Sequence, residues 1–375
     1  RDWAGSLHVR ISPTLCVALS ELGDVKVPSI GGDPVKFAVG YQLQDENEES
    51  FVDIVQDYRE HIEEIYFPWA DLPSGRAPLN AQRGYVDWTG LRRLEDALRA
   101  FRDMGLKLDL LFNANCYGGQ AVSEYLENQV GSVLEHLNDI VGGADAVTTT
   151  SLAVARTVKR YFPKVDVRAS VNMRIGTVHG MEYVKGLFDS YYIQRDRQRD
   201  TTYVRTLREW ADANDKTLCM LANSGCLRYC PGQIFHDNLV AHEQEVDETA
   251  NIKEWTPHVC WNLYKERENW PAILRASWVR PEDLHHYEGL IPIVKLATRM
   301  HANPRLVLHA YTGRRYRGNL LDLFEPGFGP IFAPHVIDNT RFPDDWFERT
   351  SQCDVLCHNC DYCREVLEQV LVRFE

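Results

Sequence analysis

The chain has no run approaching the roughly 20 consecutive apolar residues that a membrane-spanning helix requires. It also lacks a glycine-rich G-x-G-x-x-G turn behind its first β-rich run, which places a dinucleotide-binding open sheet second among the folds its pattern allows. Neither H-E-x-x-H nor G-x-S-x-G occurs, so the two commonest hydrolase signatures are missing. Positive charge is scarce: 41 Lys plus Arg stand against 54 Asp plus Glu, a net −13, which disfavours a phosphate backbone as a bulk partner. Arg1 to Leu7 lacks the apolar stretch of a signal peptide, and the expected location is cytoplasmic. Arg1 in place of Met leaves room for a leader removed upstream.

What is present is ordinary globular composition, 44% apolar and 25% charged over 375 residues, enough for one large core. Ten cysteines in a chain of this size, several of them clustered, point to metal rather than to a disulfide framework.

From Val35 onward β-rich runs alternate with amphipathic ones. Strands are expected near Phe37 to Leu43, Glu64 to Trp69, Leu108 to Asn113, Ala146 to Thr149, Val167 to Met173, Tyr191 to Arg195, Leu218 to Ala222 and Ile291 to Ala297. Eight such strands close a barrel. Between them, Thr89 precedes Leu91, Leu94, Leu98 and Phe101 at helical spacing, with Gly105 as a stop. Ser151 caps a helix whose Leu152, Ala155, Val158 and Phe162 share one face. The pattern predicts an α/β fold, a (β/α)8 TIM-type barrel over residues 35–300. An N-terminal extension (1–34), a cysteine-bearing insertion after strand seven (225–270) and a cysteine-rich C-terminal tail (301–375) complete it.

Cys219, Cys226, Cys230 and Cys260 follow the spacing C-x6-C-x3-C-x29-C, and soft thiolate ligands suit an iron-sulfur cluster or zinc. The bland alternative makes Cys219 a buried strand cysteine and the others incidental. Cys353, Cys357, Cys360 and Cys363 pack four thiols into eleven residues. A second iron-sulfur cluster is expected there, with zinc as the alternative. Strand ends of a barrel face its working mouth, which gathers Asn113, Asn115, Cys116, Asn172, Arg174, Arg195, Asp196, Asn223, Lys295 and Arg299. Of these, Asn113, Asn172, Arg174, Asn223, Lys295 and Arg299 are candidate substrate ligands for an acidic small molecule. Arg195, Asp196 and His236 are candidate catalytic groups, and His242 is a second candidate acid-base histidine beside His236. Phe67, Trp69 and Tyr117 could stack an aromatic substrate, although such residues more often simply pack.

At these residues the chain resembles the collagenase-like peptidase family U32, whose members include oxygen-independent ubiquinone and RNA hydroxylation proteins. Cys219 to Cys226, CMLANSGC, is similar to the family's first cysteine pair, and Ser277 to Arg299, SWVRPEDLHHYEGLIPIVKLATR, to its segment ending in a Lys-Ile-Glu-Gly-Arg strand. Tyr191 to Asp196 and Tyr311 to Leu321 resemble two further stretches, so the likeness covers roughly the second half of the chain. The sequence departs from the family where Lys216 and Thr217 replace a Phe-x-His-Gly lead-in and where Leu296, Ala297 and Thr298 replace Ile-Glu-Gly, which removes a carboxylate.

The resemblance implies a 4Fe-4S cluster on the first cysteine set and an iron-sulfur oxidoreductase performing oxygen-independent hydroxylation. Prephenate is the implied cosubstrate, and an electron-transfer or complex partner is possible. The alternatives are a U32-type peptidase or hydrolase, which the missing hydrolase motifs weaken, and a noncatalytic cluster-binding subunit of a complex.

Overall fold

The computed structural model describes residues 34–45, 48–70, 72–75 and 87–374. The expected N-terminal extension therefore lies outside the described residues, apart from its last position.

Eight parallel strands close into a barrel in sequence order. They are β1 (Lys36–Gly40), β2 (Ile62–Pro68), β3 (Lys107–Phe112), β4 (Ala146–Thr149), β5 (Asp166–Ala169), β6 (Ser190–Tyr192), β7 (Thr217–Leu221) and β8 (Ile293–Leu296). Each overlaps one of the eight expected runs, and β8 pairs with both β7 and β1 to complete the circle. This is the (β/α)8 TIM-type fold. At the mouth the closure is pinned by Thr298, whose Oγ1 accepts from Gly40 N at 2.8 Å and donates to Gly40 O at 3.1 Å. Gly40 must lack a side chain, because a Cβ there would stand 2.4 Å from the Tyr66 ring.

The helices follow the apolar spacing, with small shifts at their ends. Trp88–Asp103 begins on Asp87, whose carboxylate accepts from Thr89 N and Gly90 N, so the cap lies two residues before Thr89. Leu94, Leu98 and Phe101 are fully buried, worth about 1.5–3 kcal/mol each against exposure. Leu152–Tyr161 is capped by Ser151 as expected, and Ala155 and Val158 are buried. Leu152 itself, the first residue of that helix, is half exposed.

The barrel interior carries charge. Arg168 of β5 pairs with Glu64 of β2 and stands 3.8 Å from Asp109 of β3, while Thr148 Oγ1 donates to Asp109 Oδ2 at 2.8 Å. Lys295 of β8 sits 3.6 Å above the Tyr66 ring. All four charged residues are at most 9% exposed.

The insertion after β7 forms the helices Gln233–Ala241, Glu243–Asp247 and Val259–Tyr264. The tail adds a small antiparallel pair, β9 (His335–Ile337) with β10 (Leu371–Arg373), and shares the main core through Trp346, Val366, Leu367 and Val370. Trp346 stacks on Trp278 at 5.8 Å, with the Arg199 guanidinium 4.6 Å from the Trp278 ring. Arg199 also donates to the carbonyls of Leu274, Ala276 and Trp278, which ties insertion, tail and barrel together. Among the described residues no helix is long and apolar enough to cross a membrane.

Two outcomes follow from the buried charges. Removing one partner of a buried ion pair strands the other, so Arg168→Ala should cost about 3–5 kcal/mol in denaturant unfolding; a loss below about 1 kcal/mol would show that the network contributes little. Burial pushes the Asp109 carboxyl up to about 6 despite the attraction of Arg168. Between its ordinary value and about 6 the folded chain holds a proton that the unfolded chain releases, so this group's contribution to stability is lost as pH rises through that window. The melting temperature of the parent protein relative to Asp109→Asn should therefore fall from pH 4 to pH 6, and a flat difference would contradict it.

Candidate active site at the barrel mouth

A cavity of about 300 Å³ opens where the strands end. Its walls include Asn113 and Asn172, Arg195, Lys295 and Arg299, and from the insertion Cys226, Cys230, His236, Asp237, His258 and Cys260. The structure thus brings Asn113, Asn172, Lys295, Arg299, Arg195, His236 and three of the first four cysteines to one place. It adds groups that sequence reasoning missed. His258 packs edge-on against His236 with ring centroids 4.6 Å apart. Asp237 and Glu325 bring negative charge to a mouth expected to be cationic. Glu325, from the tail, lines the same cavity as Ala297 at the end of β8.

Several expected ligands have structural duties. Asn223 is fully buried and spends its amide on Ala297 O, Leu323 O and Ala297 N. Asn113 Oδ1 accepts from Gly75 N at 2.9 Å, and Arg299 Nη2 donates to Ser74 Oγ at 2.9 Å, so both brace the loop Leu72 to Gly75 at the cavity rim. Asp196, placed among the catalytic candidates, is 2% exposed and clamps the cysteine loop. Its carboxylate accepts from Tyr229 N and from Gln194 Nε2, and its carbonyl from Arg228 Nε. Tyr229 is held at φ +54, a left-handed turn that a non-glycine residue adopts only under such restraint. Arg174 lies outside the cavity wall, also with positive φ, near enough to Cys230 for its charge to be felt. Phe67 is fully buried in β2 as core, Trp69 packs on His136, and the Tyr117 hydroxyl donates to Phe112 O at 2.7 Å.

The four-thiol ligand set does not come together. Cys219 lies inside the barrel, fully buried, with Arg168, Glu64, Asp166 and Asp109 as its charged neighbours, and burial pushes its thiol up to about 12. Cys226, Cys230 and Cys260 stand around the mouth cavity, where burial raises the Cys230 thiol and pushes Cys260 up to about 11. The tail cysteines 353, 357, 360 and 363 line a separate recess of about 440 Å³ with Cys230, Arg199, Arg275 and Arg349, on the working-face side of the insertion. Among the described residues, no group of three or more His, Cys, Asp or Glu side chains stands close enough to hold a metal ion. Neither cysteine set, as folded, fits a closed four-thiolate cluster.

A second recess of about 340 Å³ lies beside the mouth. The loop after β3 places Cys116 there, and the insertion brings His242, at the end of Gln233–Ala241, and Glu245 in the next helix. His242 Nδ1 and Glu245 Oε2 are 2.8 Å apart, and the His242 ring is hydrogen-bonded to Cys116. Gly118 N donates to Cys116 Sγ at 3.3 Å. Gly118 turns back on φ +53, and the space beside it is bounded by His242 Cε1. The imidazole lowers the Cys116 thiol below its ordinary value, and the thiol in turn raises His242. The sequence reading singled out His242 but not Glu245, and the 126-residue separation from Cys116 carried no signal.

No family model matches the chain. It is 27% identical over 276 residues, 71% of this chain and 77% of the other, to a protein named Uncharacterized protease MJ1657 of Methanocaldococcus jannaschii. The solved structure of the U32 peptidase Mk0906 shares the fold with a TM-score of 0.50 and 16% identity, covering 75% of this chain and 98% of that one. The first name is that of a protease and the second that of a U32 peptidase, and neither carries an iron-sulfur hydroxylase. The expectation of an iron-sulfur oxidoreductase performing hydroxylation is therefore overturned, and the names of the relatives favour the peptidase alternative.

Asp196→Ala should free the cysteine loop, whose Cys226 and Cys230 line the mouth cavity. The expected loss is about 1–3 kcal/mol from the donors left unpaired, with faster maleimide labelling of Cys226 and Cys230. Unchanged labelling and stability would return Asp196 to the catalytic candidates.

Proposed function

We propose that this protein is a U32-type peptidase that hydrolyses peptide bonds at the mouth of its barrel. The observation that carries the reading is the likeness to a named protease over 71% of the chain, a span that includes most of a barrel whose mouth holds a cavity with acid, base and cationic groups. Working sites of such barrels lie at the strand ends, built from the loops that follow them.

The mouth suits a peptide rather than a small dicarboxylate. Lys295, Arg195 and Arg299 are offset by Asp237 and Glu325, so the cavity presents both signs and can bind a zwitterionic or mixed chain. Arg299, held by Ser74 and facing the cavity, takes a carboxylate or a main-chain carbonyl of the substrate, and Lys295 lies deeper. Burial pushes Lys295 down to about 8, with the charge of Asp109 the largest influence opposing it.

The test is digestion of unfolded protein and of a peptide library by the purified chain, with products read by mass spectrometry. Arg299→Ala should raise KM about tenfold or more with kcat changed far less, the loss of a charge-assisted contact worth about 1.5–3 kcal/mol. No cleavage by the parent protein across the library would overturn the reading, and an unchanged KM in the variant would remove Arg299 from it.

A further inference from the structure

We propose that Cys116, His242 and Glu245 form a nucleophilic triad in the recess beside the mouth, and that Cys116 attacks acyl carbonyls there. This assignment rests on the peptidase reading for the identity of its acyl donor. Its geometry stands independently.

The two recesses are neighbours with a common wall. Ser74 lines the Cys116 recess while bonding Arg299 of the mouth cavity, and the helix Gln233–Ala241 contributes Asp237 to one and Val240 and Ala241 to the other. Asn115, next to Cys116, reaches Asp237 Oδ2 at 3.4 Å. A chain anchored at the mouth can therefore pass over this wall and present a carbonyl to Cys116.

Each member has the role its contacts dictate. Glu245 engages His242 Nδ1, which fixes the tautomer and leaves Nε2 for the sulfur. Glu245 acts through His242 and is a positioning residue. The sulfur receives two donors, the imidazole and Gly118 N, and both favour the thiolate. Glu243 and Glu245 are the acidic groups lining the recess, and Glu245 opposes the thiolate only as the weakest of the influences on it. Among Cys116, Cys219, Cys230, Cys260 and Cys363, burial holds the last four as thiols, while Cys116 alone is shifted toward its reactive form.

The reaction balances on these groups and water. The Cys116 thiolate adds to the peptide carbonyl carbon, the C–N bond breaks, and His242 gives its proton to the leaving amine, leaving an acyl thioester on Cys116. His242, now neutral, takes a proton from a water that adds to the thioester carbon. The C–S bond breaks, and the carboxylic product leaves with the thiolate restored. Net, one peptide and one water become one acid and one amine.

The experiment uses the full chain and iodoacetamide, with alkylation of each cysteine followed by mass spectrometry from pH 5 to pH 10. Cys116 should be the fastest site at pH 6.5, with its half-maximal rate at a lower pH than that of an ordinary thiol. His242→Ala should slow it at least tenfold at pH 6.5 and move its profile up. Glu245→Gln should move the profile in the same direction by less. An ordinary thiol profile at Cys116 in the parent protein, or a profile indifferent to His242→Ala, overturns the triad.

A p-nitrophenyl ester supplies the second arm: a covalent acyl group on Cys116 supports the assignment, and its absence under turnover of that ester opposes it. Peptide cleavage that survives Cys116→Ala removes the nucleophile and leaves the peptidase reading intact. Acylation of Cys116 by the ester in a chain that cleaves no peptide removes the peptidase reading and leaves the triad.

Discussion

Arg168 reaches across the barrel interior to Glu64 and Asp109, and much of the working end is arranged around that charge. A guanidinium in this position cannot lose its proton, so its partners must be carboxylates, and β2, β3 and β5 are bound to a register that brings them together. The same interior sets the state of Lys295, whose ammonium rests on the Tyr66 ring one layer nearer the mouth. Tyr66 donates to Leu296 O, and its ring forbids any side chain at Gly40, so the charged layer passes directly into the closure of β8 on β1. The rim above it is then a fixed frame on which loops can build a site.

The insertion after β7 does most of that building. A single segment supplies thiols and histidines to the mouth cavity and then, one helix further, the imidazole and carboxylate that meet Cys116 from the opposite side of the barrel. It is held down at both ends, by Asp196 under the cysteine loop and by Arg199 under the Leu274 to Trp278 carbonyls. Burial raises the Cys230 and Cys260 thiols above their ordinary value, and Cys219 belongs to the barrel core. The thiol with chemistry to offer is the least clustered of the described set.

The tail is part of the same body. Trp346 on Trp278 and Glu325 at the mouth show that residues after the barrel complete both its core and its cavity.

The eight strands, their order and the helices between them were legible in the sequence because local periodicity and parallel pairing are nearest-neighbour properties: Leu94, Leu98 and Phe101 announce a buried face wherever the chain goes. That the site lies in the loops after the strands also followed from the fold class. What the sequence could not rank was the cysteines. Spacing along the chain suggested that Cys219 joins Cys226, but a strand residue and a loop residue seven positions later face different environments, one the barrel interior and one the mouth. Conversely, Cys116 and His242 lie 126 residues apart and meet only because the insertion folds back across the third loop. Reactivity depends on burial and on which group stands beside the sulfur, and both are set by tertiary contacts that no spacing encodes.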